Sequence, residues 1–200
     1  KAGVLHLHLG DGPRGLDLVR RALNESEIPA RVFNPTHVNR RKALFDEAVT
    51  LAAKGCYIDL TAFPVEDGED AWSAVEGLQR YLASGAPADR VTISSDAGGC
   101  LPCFDAEGRV SSMDVGHSGA LLETLRALAD GGMSLETALP AFTANPARLL
   151  RLVRKGRVEA GADADLVALD ATGAAQTVII GGQIHVRNGQ AIRRGTFENR

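Results

Sequence analysis

The sequence predicts an α/β fold in which parallel strands alternate with crossover helices, followed by a small β region. Short apolar runs, typical of buried strands, alternate with amphipathic segments, and the strand–helix unit repeats about every 30 residues. No hairpin signals separate these runs, which favours parallel strands joined by helices. A repeat of this length fits an open doubly wound sheet or a (β/α)8 barrel, and periodicity does not separate the two.

The predicted elements follow one another from the N-terminus. Residues 3–9 read as a buried strand, and Leu16, Val19 and Leu23 define one face of the next helix. Further strands are predicted over 31–35, 56–63 and 91–96, and further helices over 40–54, 70–84 and about 118–130. Gly55 is the predicted stop of helix 40–54. A glycine-rich loop of about 20 residues is expected between the last strand and the last helix.

The pattern changes after residue 155. Short β segments are joined there by glycine and asparagine turns, as in TVIIGGQIHVRNGQ. We therefore expect two units, residues 1–154 with alternating strands and helices and residues 155–200 with β structure in a different layer or domain.

Composition excludes several classes of function. The net charge is −3 with both signs interspersed, so no basic stripe predicts nucleic-acid binding. No apolar run approaches the roughly 20 residues that cross a membrane. Three cysteines in 200 residues do not form a disulfide scaffold, which favours the cytoplasm. The chain enters a strand almost at once without a starting methionine, so we expect a piece of a longer protein.

Polar side chains stand at the ends of three predicted strands. His8 ends the first strand, His37 follows the second and Asp96 ends the fourth. Parallel α/β folds place their active sites at the carboxyl ends of the strands. Two imidazoles and a carboxylate that converge there suit a zinc ion, which lowers the pKa of bound water to about 7. The alternative for each residue is a structural, hydrogen-bonded role.

Three other histidines are weaker candidates. His6 points to the same side as His8 but lies about 6–7 Å further back along the strand, so we expect it to pack or to support the site. His117, in a loop ahead of a helix, and His185, in the β region, are expected to be surface or structural residues.

Cys100 and Cys103 form a C-x-x-C motif inside the glycine-rich loop. A redox motif is expected at a helix N-terminus after the first strand of a βαβ unit, and a structural zinc site needs a second ligand pair. Neither context is present around these residues, so we expect two reduced thiols.

Four blocks of the sequence resemble one known family. KAGVLHLHLGD, PTHVNRR and VTISSDAGG are similar to the fifth, sixth and eighth barrel strands of the β-aspartyl (isoaspartyl) dipeptidase family of the amidohydrolase superfamily. TANPARLLRL followed by KGRVEAGADADLVALD resembles the superfamily's return from the last barrel helix into its β domain. The resemblance implies the second half of a (β/α)8 barrel over residues 1–154, followed by part of a small β-sandwich domain over residues 155–200.

The resemblance also implies roles for particular residues. His8 and His37 are the expected metal ligands, and Asp96 is the expected metal ligand and general acid/base. Arg40 is expected to bind a substrate carboxylate. Cys100 stands where the family often has a substrate-contacting serine, so a substrate contact is expected there.

The implied activity is hydrolysis of β-aspartyl dipeptides by a metal-bound hydroxide at a binuclear zinc site, in a homo-oligomer. The family's first-strand H-x-H and carboxylated lysine are absent; Lys1, seven residues before His8, is not that lysine. We therefore expect the remaining barrel strands to come from a missing part or a partner segment. Rival interpretations are an N-acyl-D-amino-acid deacylase, a cyclic-amide hydrolase, an inactive half-barrel subunit, or a C-x-x-C redox protein.

Overall fold

A computed structural model describes residues 3–104, 107 and 109–195, with only the backbone of residues 102–104. The strands are β1 Leu5–His8, β2 Phe33–Thr36, β3 Ile58–Thr61, β4 Val91–Ser94, β5 Cys100–Phe104, β6 Val110–Val115, β7 Leu166–Leu169, β8 Ala175–Ile180, β9 Gln183–Arg187 and β10 Gln190–Ala191. The α-helices are α1 Asp17–Glu25, α2 Lys42–Ala53, α3 Ala74–Ala83, α4 Ala120–Asp130, α5 Leu135–Ala138 and α6 Ala144–Leu149. None of the described helices is long and apolar enough to cross a membrane.

Strands β1 to β4 lie side by side in chain order. β1 pairs in parallel with β2, and β3 pairs in parallel with β4. The backbone N–H of Tyr57, just before β3, donates to the carbonyl of Phe33 at the start of β2 over 3.0 Å, which joins the two pairs. Doubly wound sheets reverse their strand order at a switch point, whereas barrel strands follow one another. The order β1-β2-β3-β4 therefore favours the barrel.

The helices bury apolar stripes against this sheet, as the periodicity predicts. In α2 the buried residues recur at intervals of three and four, and Gly55 follows its end with a positive φ of 99°. Ser73 begins α3 with a capping box, in which its hydroxyl accepts from the Glu76 N–H and the Glu76 carboxylate accepts from the Ser73 N–H. The core between sheet and helices contains Phe33, Leu51, Ile58, Leu60, Leu78, Val91, Ile93 and Leu128.

Two expectations about this half of the chain are wrong. β1 is not a buried strand, because its residues are exposed or half-buried, with Leu5 44% exposed. Among the described residues β1 pairs only with β2, so its other edge and much of its side-chain surface stay open. The predicted glycine-rich loop is also wrong in part, because β5 and β6 form an antiparallel hairpin within it.

Residues beyond 155 form the predicted β structure. Strands β7 to β10 make one antiparallel sheet in the order β10-β9-β8-β7. The two aspartates of the D-A-D motif before β7 form ion pairs with basic residues that follow α6, and so connect this sheet to the preceding part of the chain. Asp163 accepts from Arg154 at 2.7 Å and pairs with Lys155, while Asp165 also pairs with Lys155 and accepts from the backbone N–H of Gly181. These ion pairs lower the pKa of both carboxyl groups.

Asn39 connects the segment after β2 to the end of β3. Its side chain is fully buried; its Oδ1 accepts from the Thr61 N–H at 2.8 Å, and its Nδ2 donates to the carbonyls of Thr61 and Trp72 at 3.0 and 2.8 Å. Since His37 lies two residues before Asn39, these bonds also fix the segment that carries His37.

Replacing Asn39 with Ala is expected to lower the free energy of unfolding by about 3 kcal/mol, because buried backbone groups of Thr61 and Trp72 lose their partners. Urea denaturation measures the change. The matched control is Gln79→Ala on the exposed side of α3, for which we expect a change within about 0.5 kcal/mol. Equal stability of the two variants would contradict the role of Asn39.

Candidate metal centre

Three side chains converge at the carboxyl ends of the parallel strands. His8 ends β1, His37 directly follows β2, and Asp96 lies two residues beyond β4. One donor atom from each lies within 4.8 Å of the others. His8 Nδ1 is 3.0 Å from His37 Nε2, which is 4.0 Å from Asp96 Oδ2. Within the described residues, this is the only group of three or more His, Cys, Asp or Glu side chains so close together.

The donor set fits a zinc ion. Zinc–ligand bonds of about 2.1 Å in a tetrahedral arrangement place neighbouring donor atoms about 3.4 Å apart. The spacings of 3.0 and 4.0 Å bracket that value and all three atoms lie within 4.8 Å of one another, so side-chain movements can bring them onto one ion. Two imidazole nitrogens and one carboxylate oxygen are also the atom types that zinc prefers.

The backbone holds two of these residues in an uncommon conformation. His37 has φ 63° and Asp96 has φ 47°, in the left-handed region that non-glycine residues seldom adopt. Such positions cost of order 1–3 kcal/mol and are concentrated at functional sites. Here the turn directs each side chain away from its strand and toward the cluster.

The electrostatics of His37 suit a metal ligand. Burial lowers its pKa below the usual value, neighbouring Asp96 opposes that shift, and His8 and Arg40 add to it. The ring is therefore neutral at neutral pH, which leaves one nitrogen lone pair for coordination. His37 Nδ1 lies 2.8 Å from Thr61 Oγ1. With the proton on Nδ1, the Nε2 lone pair faces His8 and Asp96.

Close backbone approaches fix Asp96. A Cβ added to Gly99 would lie 2.5 Å from Asp96 Oδ2, and one added to Gly116 would lie 2.5 Å from the Asp96 carbonyl oxygen. The two glycines flank the β5–β6 hairpin, and Gly116 N–H donates to the Gly99 carbonyl at 2.9 Å. Only glycine fits at either position, so the base of the hairpin determines where Asp96 stands.

Arg40 lies beside the cluster with its guanidinium already engaged. Its Nε and Nη2 donate to the two carboxylate oxygens of Asp11 at 2.9 and 3.0 Å, and Nη1 donates to the Leu9 carbonyl at 2.8 Å. A guanidinium carries five N–H groups, so two have no partner among the described residues, the number that a bidentate carboxylate needs. Asp11 and Leu9 thus orient Arg40 without using up its donors.

The remaining candidates lie outside the cluster. His6 is exposed rather than packed; its Nδ1 is 2.9 Å from Asn34 Nδ2, and its ring meets that of His8 edge-on at 4.9 Å. His117 is exposed near Glu123, and His185 lies in β9. Cys100 is an exposed free thiol at the start of β5. The side chain of Cys103 lies outside the described residues, so the C-x-x-C interpretation stays a prediction.

One residue near the centre was missed by the sequence analysis. Asp59 lies in the middle of the apolar strand β3, is only 3% exposed, and accepts hydrogen bonds from three hydroxyl groups. Aspartate is rare inside strands and seldom buried. That departure from the strand pattern was the signal that could have identified it.

Parallel strands that follow one another in chain order, with polar side chains at their carboxyl ends, are typical of α/β barrel enzymes. The chain belongs to the amidohydrolase family, whose sequence profile matches residues 6–185. This confirms the resemblance and the barrel-type α/β fold.

Solved structures agree with this assignment. The chain superposes with TM-score 0.88 and 34% identity on the beta-aspartyl dipeptidase of the thermophilic, keratin-degrading Fervidobacterium islandicum AW-1 in complex with the beta-Asp-Leu dipeptide, covering 99% of this chain and 50% of that one. A second structure of that organism's beta-aspartyl dipeptidase gives 0.83 and 30%, with 99% and 49% covered. An amidohydrolase from Thermotoga maritima MSB8, at 0.57 and 19% with 92% and 44% covered, shares the fold. The chain thus spans about half the length of the two dipeptidases.

Proposed function

We propose that the protein hydrolyses β-aspartyl (isoaspartyl) dipeptides at a metal centre formed in part by His8, His37 and Asp96. The observation that carries the proposal is the convergence of these three donor groups within 4.8 Å, with Arg40 beside them. The 34% identity to a beta-aspartyl dipeptidase solved with beta-Asp-Leu supports this substrate class.

Two histidines and Asp96 would hold a divalent metal, with zinc favoured by the donor set. When bound, such an ion polarises a carbonyl oxygen and makes water acidic enough to attack near neutral pH. Within the described residues, a second ion would need ligands other than these three.

Asp96 is the residue that moves protons. Its carboxylate takes a proton from the attacking water as the new C–O bond forms at the side-chain amide carbon. It then returns this proton to the amine nitrogen as the C–N bond breaks, so the products are aspartate and the free amino acid. Its side chain is partly exposed, which gives water access to it.

Arg40 is the residue that selects the substrate. Its two available N–H groups would bind one substrate carboxylate in a bidentate pair and so place the scissile amide over the metal. A charged group at a fixed distance from the metal distinguishes a β linkage from an α linkage, because the two linkages place the carboxylate differently relative to the amide.

Substrate profiling tests the proposal. Purified protein loaded with zinc is incubated with β-Asp-Leu, α-Asp-Leu and N-acetyl-D-leucine, and released amino acid is quantified. We expect β-Asp-Leu to be cleaved at least tenfold faster than either other compound. Preference for the acetylated amino acid would instead support a deacylase, and no hydrolysis by the metal-loaded 200-residue chain would support an inactive half-barrel. The two-domain division at residue 155, a cytoplasmic location and a homo-oligomer stay predictions.

A further inference from the structure

We propose that Asp59 carries a buried negative charge beneath the metal centre, and that this charge strengthens the binding of a divalent cation by His8, His37 and Asp96. The inference rests on the proposed metal centre and adds a residue that does not itself contact the ion. Asp59 would be a positioning residue whose influence reaches the centre through neighbouring side chains and through the electric field.

The hydrogen bonds of Asp59 indicate an ionised carboxylate. Oδ2 accepts from Thr36 Oγ1 at 2.6 Å and from Ser94 Oγ at 2.5 Å, and Oδ1 accepts from Thr92 Oγ1 at 2.5 Å. Hydroxyl-to-carboxylate bonds of 2.5–2.7 Å are typical of a charged acceptor. Three donors directed at two oxygens also suit a group that only accepts, as the ionised form does.

No cation compensates this charge directly. Asp59 is 3% exposed, and among the described residues no lysine, arginine or histidine lies within ion-pair distance of it. Buried charges are ordinarily paired with an opposite charge or neutralised, because leaving water is costly. The candidate metal centre is the nearby place where positive charge would be bound, and it lies at the end of the same strands.

The partners of Asp59 lie next to two of the three ligands, His37 and Asp96. Thr36 immediately precedes His37, and Ser94 lies two residues before Asp96. Thr61, two residues after Asp59 and therefore on the same side of β3, contacts His37 Nδ1 at 2.8 Å. The carboxylate thus lies about 7 Å behind the end of β3 and links the strands that carry two of the ligands.

Asp59 and the neighbouring Thr36 and Thr61 are buried, so the field of Asp59 toward the centre is weakly screened. A negative charge at this distance attracts a divalent cation, and attraction through a buried medium exceeds that through water. The three hydroxyl bonds hold the charge in place, so no rearrangement is needed when the ion binds. Outer residues that support metal ligands commonly change metal affinity 10- to 100-fold when replaced.

Metal affinity in the purified protein tests the inference. Zinc binding to the wild type and to Asp59→Asn is measured by competition with a chromophoric chelator, and the thermal midpoint of each apoprotein is recorded separately. We expect Asp59→Asn to bind zinc 10- to 100-fold more weakly. Thr92→Val is the matched control, because it removes one hydrogen bond but keeps the charge, and we expect its affinity within threefold of the wild type.

The zinc affinities of the variants distinguish an electrostatic role of Asp59 from a structural one. Equal zinc affinity in the wild type and Asp59→Asn would overturn the inference and leave Asp59 a purely structural residue, visible only in the thermal midpoint. A Thr92→Val variant as weak as Asp59→Asn would also overturn it, because the hydrogen bonds and not the charge would then matter. Failure of the wild type to bind zinc would contradict the metal centre itself. If Asp59→Asn does not fold, Asp59→Ser, which leaves room for water among the hydroxyl groups, gives the same comparison.

Discussion

Replacing Asp96 with Asn is expected to lower kcat for β-Asp-Leu by a factor of about 10²–10⁴ while most of the bound metal is retained. The amide oxygen of asparagine can still approach the ion, but it neither accepts nor returns the proton that the reaction moves. Asparagine has the shape of aspartate and also adopts the left-handed backbone of this position. The loop is therefore expected to keep its conformation and its close contacts with Gly99 and Gly116. Steady-state kinetics and metal content, measured on the same preparation, separate proton transfer from metal binding.

Asp114→Asn provides the control for loss of one negative charge. Asp114 lies exposed on β6 of the neighbouring hairpin, so kcat should stay within about twofold of the wild type. If Asp96→Asn instead loses its metal and its activity together, Asp96 is a ligand without a demonstrated proton-transfer role. Unchanged turnover would remove Asp96 from the mechanism altogether.

The second large effect concerns Arg40. Arg40→Lys is expected to lower kcat/KM for β-Asp-Leu about 10- to 100-fold, because lysine keeps the charge but loses the planar fork. It also loses the simultaneous contacts with Asp11 and the Leu9 carbonyl that orient the guanidinium. Arg41→Lys, at the adjacent position, is the matched control and should leave kcat/KM nearly unchanged.

Substrate analogues identify which carboxylate Arg40 binds. In β-Asp-Leu each carboxylate is replaced in turn by a primary amide, and kcat/KM is compared between wild type and Arg40→Lys. The two proteins should differ least for the analogue that lacks the carboxylate bound by Arg40, since the lost interaction is then absent in both. An equal penalty for every substrate would contradict a direct contact and assign Arg40 to the conformation of the loop.

The sequence predicted the positions of the candidate ligands because a simple rule controls them. Apolar runs identify β1, β2 and β4, and polar residues at or just after the carboxyl ends of parallel strands lie at one edge of the sheet. His8, His37 and Asp96 therefore follow from local pattern alone. The same pattern placed the helices to within a few residues, since their buried faces recur with helical periodicity.

Long-range contacts explain what the sequence did not reveal. The hydroxyl groups that bind the Asp59 carboxylate lie 23 to 35 residues from it in the sequence. No short window of sequence therefore contains both Asp59 and its partners. The contact of Arg40 with Asp11 likewise spans 29 residues. The exposure of β1 depends on which strands lie beside it, and strand order follows from packing rather than from periodicity.

The contact between the two glycines and Asp96 has a consequence for engineering and for evolutionary change. Because Gly99 and Gly116 close the hairpin directly against Asp96, the base of the hairpin and the proposed acid/base group are expected to move together. We expect the segment between the two glycines to tolerate replacement by that of a relative without displacing Asp96. A graft that keeps both glycines is expected to preserve the position of the Asp96 carboxylate, whereas one that replaces either glycine is expected to displace it and, under the proposed mechanism, to lower turnover of every substrate.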